Sequence, residues 1–326
     1  MSAESIKEAL ETRQVGIYFG AVLTAGVAAL LAPEIAAVRT GINPALALML
    51  FSTFLQVPLA DLGKAVVHVR FIAALLTANF IAIPLLVTAL VQFLPDDPSV
   101  RFGVLLVQLA PCIDYVVTFS HLGRADARLL LAATPALLIT QMLLLPVYLG
   151  AFLGTDAAGL VQAGPFVQAF VWVIAVPLLF AALVQLWTAR SRTGERVSTA
   201  FGLLPVPATA LVLFVVVSAV VPQLGPAKQT ALCVVPIYLA FAVLAPLIGW
   251  SVARLFRLDA PTGRAVAFSA ATRNSLVVLP LAFAVPGAGP VLPAIIVTQT
   301  LVELTGELVY IRLIPRLGNR NSVTAI

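Results

Sequence analysis

Long apolar runs, separated by short polar stretches, make up almost the whole chain. A helix that crosses a bilayer needs roughly 20 predominantly apolar residues, and ten runs approach that length. These runs, numbered here as spans 1 to 10, cover residues 15–31, 42–59, 71–94, 102–122, 129–153, 166–186, 204–220, 230–250, 265–283 and 290–313. The pattern predicts an all-α polytopic membrane protein with ten transmembrane helices.

The composition excludes a soluble globular protein. Hydrophobic residues make up 61% of the 326 residues and charged residues only 10%, whereas soluble domains are about 45–50% apolar and about 25% charged. Ten spans leave only short loops, so no separate catalytic domain fits, and we do not expect an enzyme. Mixed charges precede span 1 without a small-residue cleavage site, so we expect this span to be retained rather than removed as a signal peptide.

The positive charges indicate how the chain is oriented in the lipid bilayer. Fifteen of the 19 lysines and arginines lie in the terminal segments and in the loops after spans 2, 4, 6 and 8, and only three lie on the opposite side. Cytoplasmic loops carry the excess of positive charge in membrane proteins, so both termini are predicted to be cytoplasmic in a cell-membrane protein. The net charge of +5 therefore reflects topology, and no nucleic-acid partner is expected.

The two halves of the chain are in phase with each other. An ungapped shift of the sequence against itself that superposes Gly63 on Gly225 also aligns spans 1 to 5 with spans 6 to 10. We call this shift the repeat offset, and it superposes two further pairs of matching residues: Pro84 on Pro246 and Tyr148 on Tyr310. Because five spans are an odd number, residues 161–326 are predicted to form an inverted copy of residues 1–160. Inverted repeats are common in secondary transporters, whose substrate site lies near the bilayer midplane.

Polar residues interrupt spans 4 and 9 at corresponding places. The repeat offset maps Pro111 onto Arg273 and Cys112 onto Asn274. Proline removes a helical hydrogen bond, and Asn274 and Ser275 carry side chains that compete for backbone groups. We therefore predict that spans 4 and 9 are broken at these positions and cross at mid-membrane, where they expose backbone dipoles to a substrate.

Charged and polar side chains inside spans are costly and mark functional sites by default. Cys112, Arg273, Asn274 and Ser275 form the candidate substrate-binding set together with Asp114. Asp114 and Arg273 are candidates for an ion pair across the crossing, which would offset the cost of burying both charges. Four further polar residues are candidates for a supporting role: Asn79, Gln108, Gln141 and Gln299.

Span 10 carries a polar face that includes a carboxyl group. Gln299, Glu303, Gly306 and Tyr310 follow the spacing of one helix face. Burial disfavours the ionised form of a carboxyl group, so Glu303 can take up and release a proton as its surroundings change. Glu307 lies one turn nearer the cytoplasmic end and is expected to contact water.

The cysteines indicate neither a disulfide framework nor a metal cluster. The chain has two cysteines, Cys112 and Cys233, and two histidines near span ends, so we expect no bound metal and no cofactor. Cys112 lies at the proline break, and a soft thiol in that position suits a thiophilic substrate. Cys233 has no polar neighbours in its span and is expected to serve packing.

The span-4 sequence LAPCIDYVVTFSHLG and the span-10 sequence LVELTGELVY resemble the arsenite/antimonite permease family. That family belongs to the superfamily that also contains the bile acid:sodium symporters. The resemblance implies export of trivalent arsenic or antimony in exchange for protons. It also implies that Cys112 binds the metalloid, that Glu303 couples transport to protons, and that Asn274 corresponds to an asparagine of the family's span-9 break.

The sequence also departs from these relatives. An arginine usually precedes the cysteine in the permeases, but Pro111 stands there and Arg273 occupies the corresponding place in span 9. The sodium symporters carry a glutamate and a glutamine in span 9 that bind sodium. The corresponding stretch here runs from Ser269 to Arg273, and an arginine beside a cation site would repel sodium.

Two other functions are compatible with a polytopic chain. One is a carrier of a small organic anion, in which Arg273 would bind a carboxylate. The other is an intramembrane enzyme, but Asp114 has no partner aspartate within the spans and both histidines lie near span ends. The leading prediction is a secondary active exporter of arsenite or antimonite that works by proton antiport.

Overall fold

In the computed structural model, residues 3–56, 68–153, 164, 168, 171–285 and 290–318 are described, and this part of the chain contains helices and no strand. We number the α-helices in chain order. They are α1 Ala3–Leu31, α2 Ile42–Gln56, α3 Val69–Thr77, α4 Ile83–Val91, α5 Pro98–Gln108, α6 Tyr115–Leu122, α7 Ala127–Leu153, α8 Val176–Thr188, α9 Arg192–Phe201, α10 Pro205–Val220, α11 Leu224–Leu255, α12 Ala260–Ala271, α13 Ser275–Ala284 and α14 Val291–Leu313.

Shorter helical turns continue several of these helices. A 3₁₀ segment, Pro33–Gly41, precedes α2, and a π turn, Ala78–Ala82, joins α3 to α4. A second π turn, Val171–Ala175, leads into α8. Such π turns are inserted into longer helices and occur frequently at functional sites.

Six helical segments among the described residues are long and apolar enough to cross a membrane. They are Ser5–Leu31, Glu34–Gln56, Val69–Val91, Ala127–Phe152, Ala227–Leu255 and Val291–Arg316. Helices α9 and α10 meet at a bend of 41° and together are long and apolar enough to count as a seventh membrane span. Predicted span 6 is represented by the short apolar helix α8, and residues 154–170 lie mostly outside the described part of the chain.

The chain forms two compact units, each assembled from three stretches. The first contains Met1–Leu59, Val161–Lys228 and Leu279–Val297; the second contains Ala60–Leu160, Gln229–Val278 and Thr298–Ile326. Both units draw on both halves of the chain, so neither unit coincides with a predicted five-span repeat. The candidate substrate residues 112, 114 and 273–275 all belong to the second unit.

The first unit packs through apolar side chains. Met49 and Leu50 of α2 and Val212 of α10 are fully buried. The rings of Phe51 and Phe201 meet edge to face with their centroids 5.2 Å apart. The Gln185 side chain donates a hydrogen bond over 3.0 Å to the Phe54 carbonyl, which fixes α8 against the end of α2.

Within the second unit, one hydrogen bond occurs twice. The Tyr148 hydroxyl donates to the Phe80 carbonyl, and the Tyr310 hydroxyl donates to the Ala242 carbonyl, each over 2.5 Å. The two donors are related by the repeat offset, and so are the two acceptors. The first bond joins the turn between α3 and α4 to α7, and the second joins α11 to α14. In sequence, the interrupted pair α5–α6 lies between the residues of the first bond, and the interrupted pair α12–α13 lies between those of the second.

Candidate functional site

Two helices are interrupted in the second unit at the predicted polar positions. Helix α5 ends at Gln108 and α6 begins at Tyr115, whereas α12 ends at Ala271 and α13 begins at Ser275. Pro111 accounts for the first interruption because it cannot donate a backbone hydrogen bond within a helix. The structure therefore confirms that both helices are broken.

The two interrupted segments run antiparallel and bind each other through their backbones. Pro111 and Arg273 form an isolated antiparallel bridge. The Cys112 amide donates to the Thr272 carbonyl over 3.1 Å, and the Asn274 amide donates to the Ala110 carbonyl over 2.7 Å. We call residues 109–114 and 272–274 the crossing. Each segment satisfies backbone groups that the other segment's break leaves free.

Cys112 lies fully buried at the crossing. Its thiol donates a hydrogen bond to the Asp114 carboxylate over 3.0 Å between Sγ and Oδ1. The same Oδ1 caps α6 by accepting the Tyr115 amide over 2.6 Å, whereas Oδ2 of Asp114 has no hydrogen-bond partner among the described residues. The thiol is therefore positioned by a carboxylate that retains one unoccupied oxygen.

The predicted ion pair between Asp114 and Arg273 is wrong. Among the described residues no ion pair joins them, because Asp114 caps its own helix and holds the Cys112 thiol. The Arg273 guanidinium instead donates through Nη2 to Asn79 Oδ1 over 2.8 Å and to the Ser269 carbonyl over 2.6 Å.

The remaining hydrogen bonds of the Arg273 guanidinium also go to neutral oxygens. Nη2 donates to the Ala270 carbonyl over 2.7 Å, and Nη1 donates to the Gln108 carbonyl over 3.4 Å. The guanidinium carbon lies 5.5 Å from the ring centroid of Phe241. Arg273 is fully buried, so its side chain is bound to the protein on several sides.

Glu303 of α14 accepts three hydrogen bonds at the crossing. Its Oε1 accepts the Tyr115 hydroxyl over 2.5 Å, and its Oε2 accepts the Arg273 amide and the Gln299 side chain, each over 2.6 Å. Glu303 is 4% exposed, so its carboxyl group is sequestered from water. The polar face predicted on span 10 thus contacts the two broken helices through this residue.

Glu307 does not contact water, contrary to expectation. It is fully buried, and its Oε1 accepts the Thr272 hydroxyl over 2.6 Å. Its Oε2 has no hydrogen-bond partner among the described residues. Glu307 lies one helical turn along α14 from Glu303. It contacts the crossing because Thr272, its hydrogen-bond donor, lies in the interrupted segment of span 9.

The other candidate residues differ in how closely they are tied to the crossing. Asn79 lies in the π turn after α3, and its Nδ2 donates to the Ser269 hydroxyl over 2.9 Å. Ser275 accepts the Thr300 hydroxyl over 2.9 Å. Gln141 is fully buried with both amide atoms unpartnered among the described residues.

A small cavity beside the crossing contains further unpartnered amides. Its volume is about 10 Å³, and its lining consists of Gln108, Gln299, Glu303, Tyr238, Tyr310 and apolar side chains. Both amide atoms of Gln108 and Oε1 of Gln299 have no hydrogen-bond partner among the described residues. A polar cavity of about this size admits a single water molecule, so the cavity suits one water bound next to the Glu303 carboxyl group.

The Asn274 side chain is also unpartnered. It is 1% exposed, and neither its Nδ2 nor its Oδ1 has a hydrogen-bond partner among the described residues. A buried amide without partners costs free energy, so the Asn274 side chain is available to a bound ligand or water molecule. Asn274 offers both a donor and an acceptor to such a ligand.

Sequence reasoning missed Tyr115 as a member of this cluster, and it noted Ser269 and Thr272 only as part of the polar stretch of span 9. Each contributes a hydroxyl group to the hydrogen bonds around Arg273, Glu303 or Glu307. Their positions in the sequence could have indicated this role. Tyr115 directly follows the capping aspartate Asp114, and Ser269 and Thr272 lie within four residues of Arg273.

Comparison with known proteins identifies the class. Apolar helices long enough to cross a membrane, together with two broken helices joined at a polar crossing, are features of secondary transporters. The model of the Sodium Bile acid symporter family matches residues 43–225, which is more than half of the chain. The chain therefore belongs to this family and is a multi-pass membrane transporter rather than an enzyme. A comparison with curated proteins gave no match.

Proposed function

We propose that this transporter exports a trivalent metalloid, arsenite or antimonite, in exchange for protons. The observation that carries the proposal is the Cys112 thiol, buried at the crossing and bonded to Asp114. Thiolate sulfur is a soft ligand that favours thiophilic elements. Family membership supports transport in general, and the thiol supports this substrate in particular.

The unpartnered groups at the crossing match the remaining chemistry of such a substrate. At neutral pH arsenite is the uncharged trihydroxide, which both donates and accepts hydrogen bonds. Asn274 Nδ2 and Oδ1 and Asp114 Oδ2 are buried groups that have no partner in the described part of the chain. These groups would bind the hydroxyls that stay on the metalloid while sulfur binds its centre.

Binding through Cys112 proceeds by exchange of one hydroxyl group for the thiol. The S–H bond and one arsenic–oxygen bond break, an arsenic–sulfur bond forms, and the released hydroxyl leaves with the thiol proton as water. Asp114 Oδ1 already accepts the thiol hydrogen bond, so it relays that proton. The exchange consumes no oxidant and no net proton, and its reversal releases the substrate.

Glu303 is the proposed proton carrier. Three donors converge on its carboxyl group, from Tyr115, Arg273 and Gln299. One of these donors is a backbone amide of the crossing itself, so movement of the crossing changes how well the negative charge is solvated. A proton bound to Glu303 in one arrangement is therefore released in the other, as antiport requires.

We further propose that the chain forms ten transmembrane helices in two inverted repeats, residues 1–160 and 161–326, with both termini in the cytoplasm. The paired breaks of spans 4 and 9 support the repeat, since Pro111 and Arg273 form a bridge and are themselves related by the repeat offset. The two tyrosine–carbonyl bonds of Tyr148 and Tyr310 support it at the same offset.

A second candidate function is transport of an organic anion, which the name of the family favours. In this function Arg273 would bind the carboxylate of the substrate. The hydrogen bonds of its guanidinium to one side-chain oxygen and three backbone carbonyls weigh against that role. The two functions differ in the substrate that is transported and in the ion gradient that drives its transport.

Uptake by the purified protein in proteoliposomes separates them. Arsenite and antimonite uptake is expected to rise at least about fivefold over protein-free liposomes when a pH gradient is imposed. The bile acid taurocholate is expected to remain at background with either a pH or a sodium gradient. Taurocholate uptake without any metalloid uptake by correctly folded protein would establish the organic-anion carrier instead.

A further inference from the structure

The guanidinium group of Arg273 lies in a shell of oxygen atoms that resembles a cation-binding site. Its hydrogen-bond acceptors are Asn79 Oδ1 and the carbonyls of Ser269, Ala270 and Gln108, at 2.6–3.4 Å. In the described part of the chain no carboxylate lies within ion-pair distance of it. Glu303 is the acidic residue that is hydrogen-bonded to Arg273, and it accepts the backbone amide of Arg273 rather than its guanidinium.

The sources of these oxygens explain why a cation is stabilised there. The Ser269 and Ala270 carbonyls belong to the last turn of α12, and the Gln108 carbonyl is at the end of α5. The last carbonyls of a helix have no intrahelical partner and form the negative end of the helix dipole. Two helix C-terminal ends therefore direct their carbonyls at one buried positive charge.

Transporters with broken helices use the same kind of groups to bind a coupling ion. Unwound carbonyls and C-terminal ends of half-helices coordinate sodium or protons in such proteins, and hard cations prefer oxygen ligands. The family name implies sodium as the co-transported ion. In this chain the oxygen shell is already filled by a covalently attached positive charge, so these residues do not fit a sodium ion.

We propose that Arg273 is a tethered cation that takes the place of a coupling sodium ion and makes transport by this protein independent of sodium. Asn79 assists by accepting from the guanidinium while its Nδ2 donates to the Ser269 hydroxyl and the Leu75 carbonyl. The π turn that contains Asn79 directs this side chain at the shell. Removing the guanidinium leaves a vacant oxygen shell that an alkali cation can occupy. This inference concerns the coupling ion. It excludes a role for Arg273 in binding a substrate carboxylate, and otherwise it does not depend on which substrate is carried.

Thermal unfolding of the purified protein in sodium chloride and in choline chloride of equal concentration tests the proposal. The Tm of the wild type is expected to be the same in both salts. The Tm of Arg273→Gln is expected to be about 3 °C or more higher in sodium, the size typical of a ligand at about ten times its Kd. Arg273→Lys keeps a positive charge and is expected to be as insensitive to sodium as the wild type.

Two controls make the outcome specific. Arg101→Ala removes a guanidinium that pairs with Asp96 at the surface, and it is expected to show no sodium response. Wild-type uptake of whichever substrate is transported is expected to be equal in sodium and choline buffers. A sodium-dependent Tm or sodium-dependent uptake of the wild type overturns the proposal. This test needs only the wild-type protein, so it remains decisive if Arg273→Gln does not fold. An Arg273→Gln protein that folds but shows no sodium response overturns it as well.

Discussion

Replacing Cys112 with serine is expected to reduce pH-gradient-driven arsenite uptake at least about tenfold, to the level of protein-free liposomes. The hydroxyl of serine is nearly the same size and can donate to Asp114 Oδ1 as the thiol does. It is a hard oxygen ligand and does not replace a soft sulfur toward trivalent arsenic. The substitution therefore removes the chemistry at the crossing and leaves its hydrogen bonds in place. Uptake of radiolabelled or mass-detected arsenite into proteoliposomes measures the effect.

Cys233 provides the matched control for this prediction. It is exposed, and its thiol donates to the Thr230 carbonyl in its own helix. Cys233→Ser is expected to retain at least about 80% of wild-type uptake, because a solvent- or lipid-facing position of this kind seldom matters. Full activity of Cys112→Ser, or equal loss in both variants, would contradict a metalloid site at Cys112.

Glu303→Gln is expected to abolish the response of uptake to a pH gradient. Glutamine carries no exchangeable acidic proton, so a gradient of protons can no longer drive the cycle. It also has a single acceptor oxygen for the three donors that now converge on Glu303. Gradient-stimulated arsenite uptake is therefore expected to fall at least about tenfold, whereas exchange of labelled for unlabelled arsenite at equal pH persists.

Glu307→Gln is the control for the proton carrier. Glu307 is equally buried, but in the described contacts it accepts one hydroxyl hydrogen bond, from Thr272. This variant is expected to keep most of the response to a pH gradient. Loss of the response in Glu307→Gln with retention in Glu303→Gln would move the proton site one helical turn along α14.

The interruptions of spans 4 and 9 could be predicted because their causes are local. A proline at position 111 and the Asn274–Ser275 pair are visible in the sequence, and each weakens the helix in which it stands. The repeat offset then placed the two interruptions at corresponding positions. Local chemistry and the repeat offset together were sufficient to predict that the two segments meet.

The partners of the buried charges could not be predicted in this way. The Arg273 guanidinium binds Asn79, which is 194 positions away in sequence, and the Tyr115 hydroxyl binds Glu303, which is 188 positions away. Hydropathy patterns report which face of a helix is buried and carry no information on which distant side chain it meets. Opposite charges suggested that Arg273 pairs with Asp114, but the local capping bond of Asp114 prevailed.

The predicted position of Glu307 failed for a related reason. Its distance from the end of span 10 suggested contact with water, yet Thr272 in the interrupted segment binds it. A broken helix exposes polar side chains and backbone at depths where an intact helix has none. Burying a carboxyl group inside a membrane is costly, but a neighbouring carboxyl group can form hydrogen bonds to these exposed groups. The boundaries of the spans alone do not reveal such hydrogen bonds.

Proton movement driven by the substrate tests the central claim most directly. Proteoliposomes are loaded with arsenite and a pH-sensitive dye, the membrane potential is clamped, and the outward arsenite gradient is established by dilution. The account predicts that the lumen acidifies as arsenite leaves, and that liposomes with Glu303→Gln protein show no such change. Arsenite efflux by the wild-type protein above the protein-free rate without any change of lumen pH would contradict proton antiport.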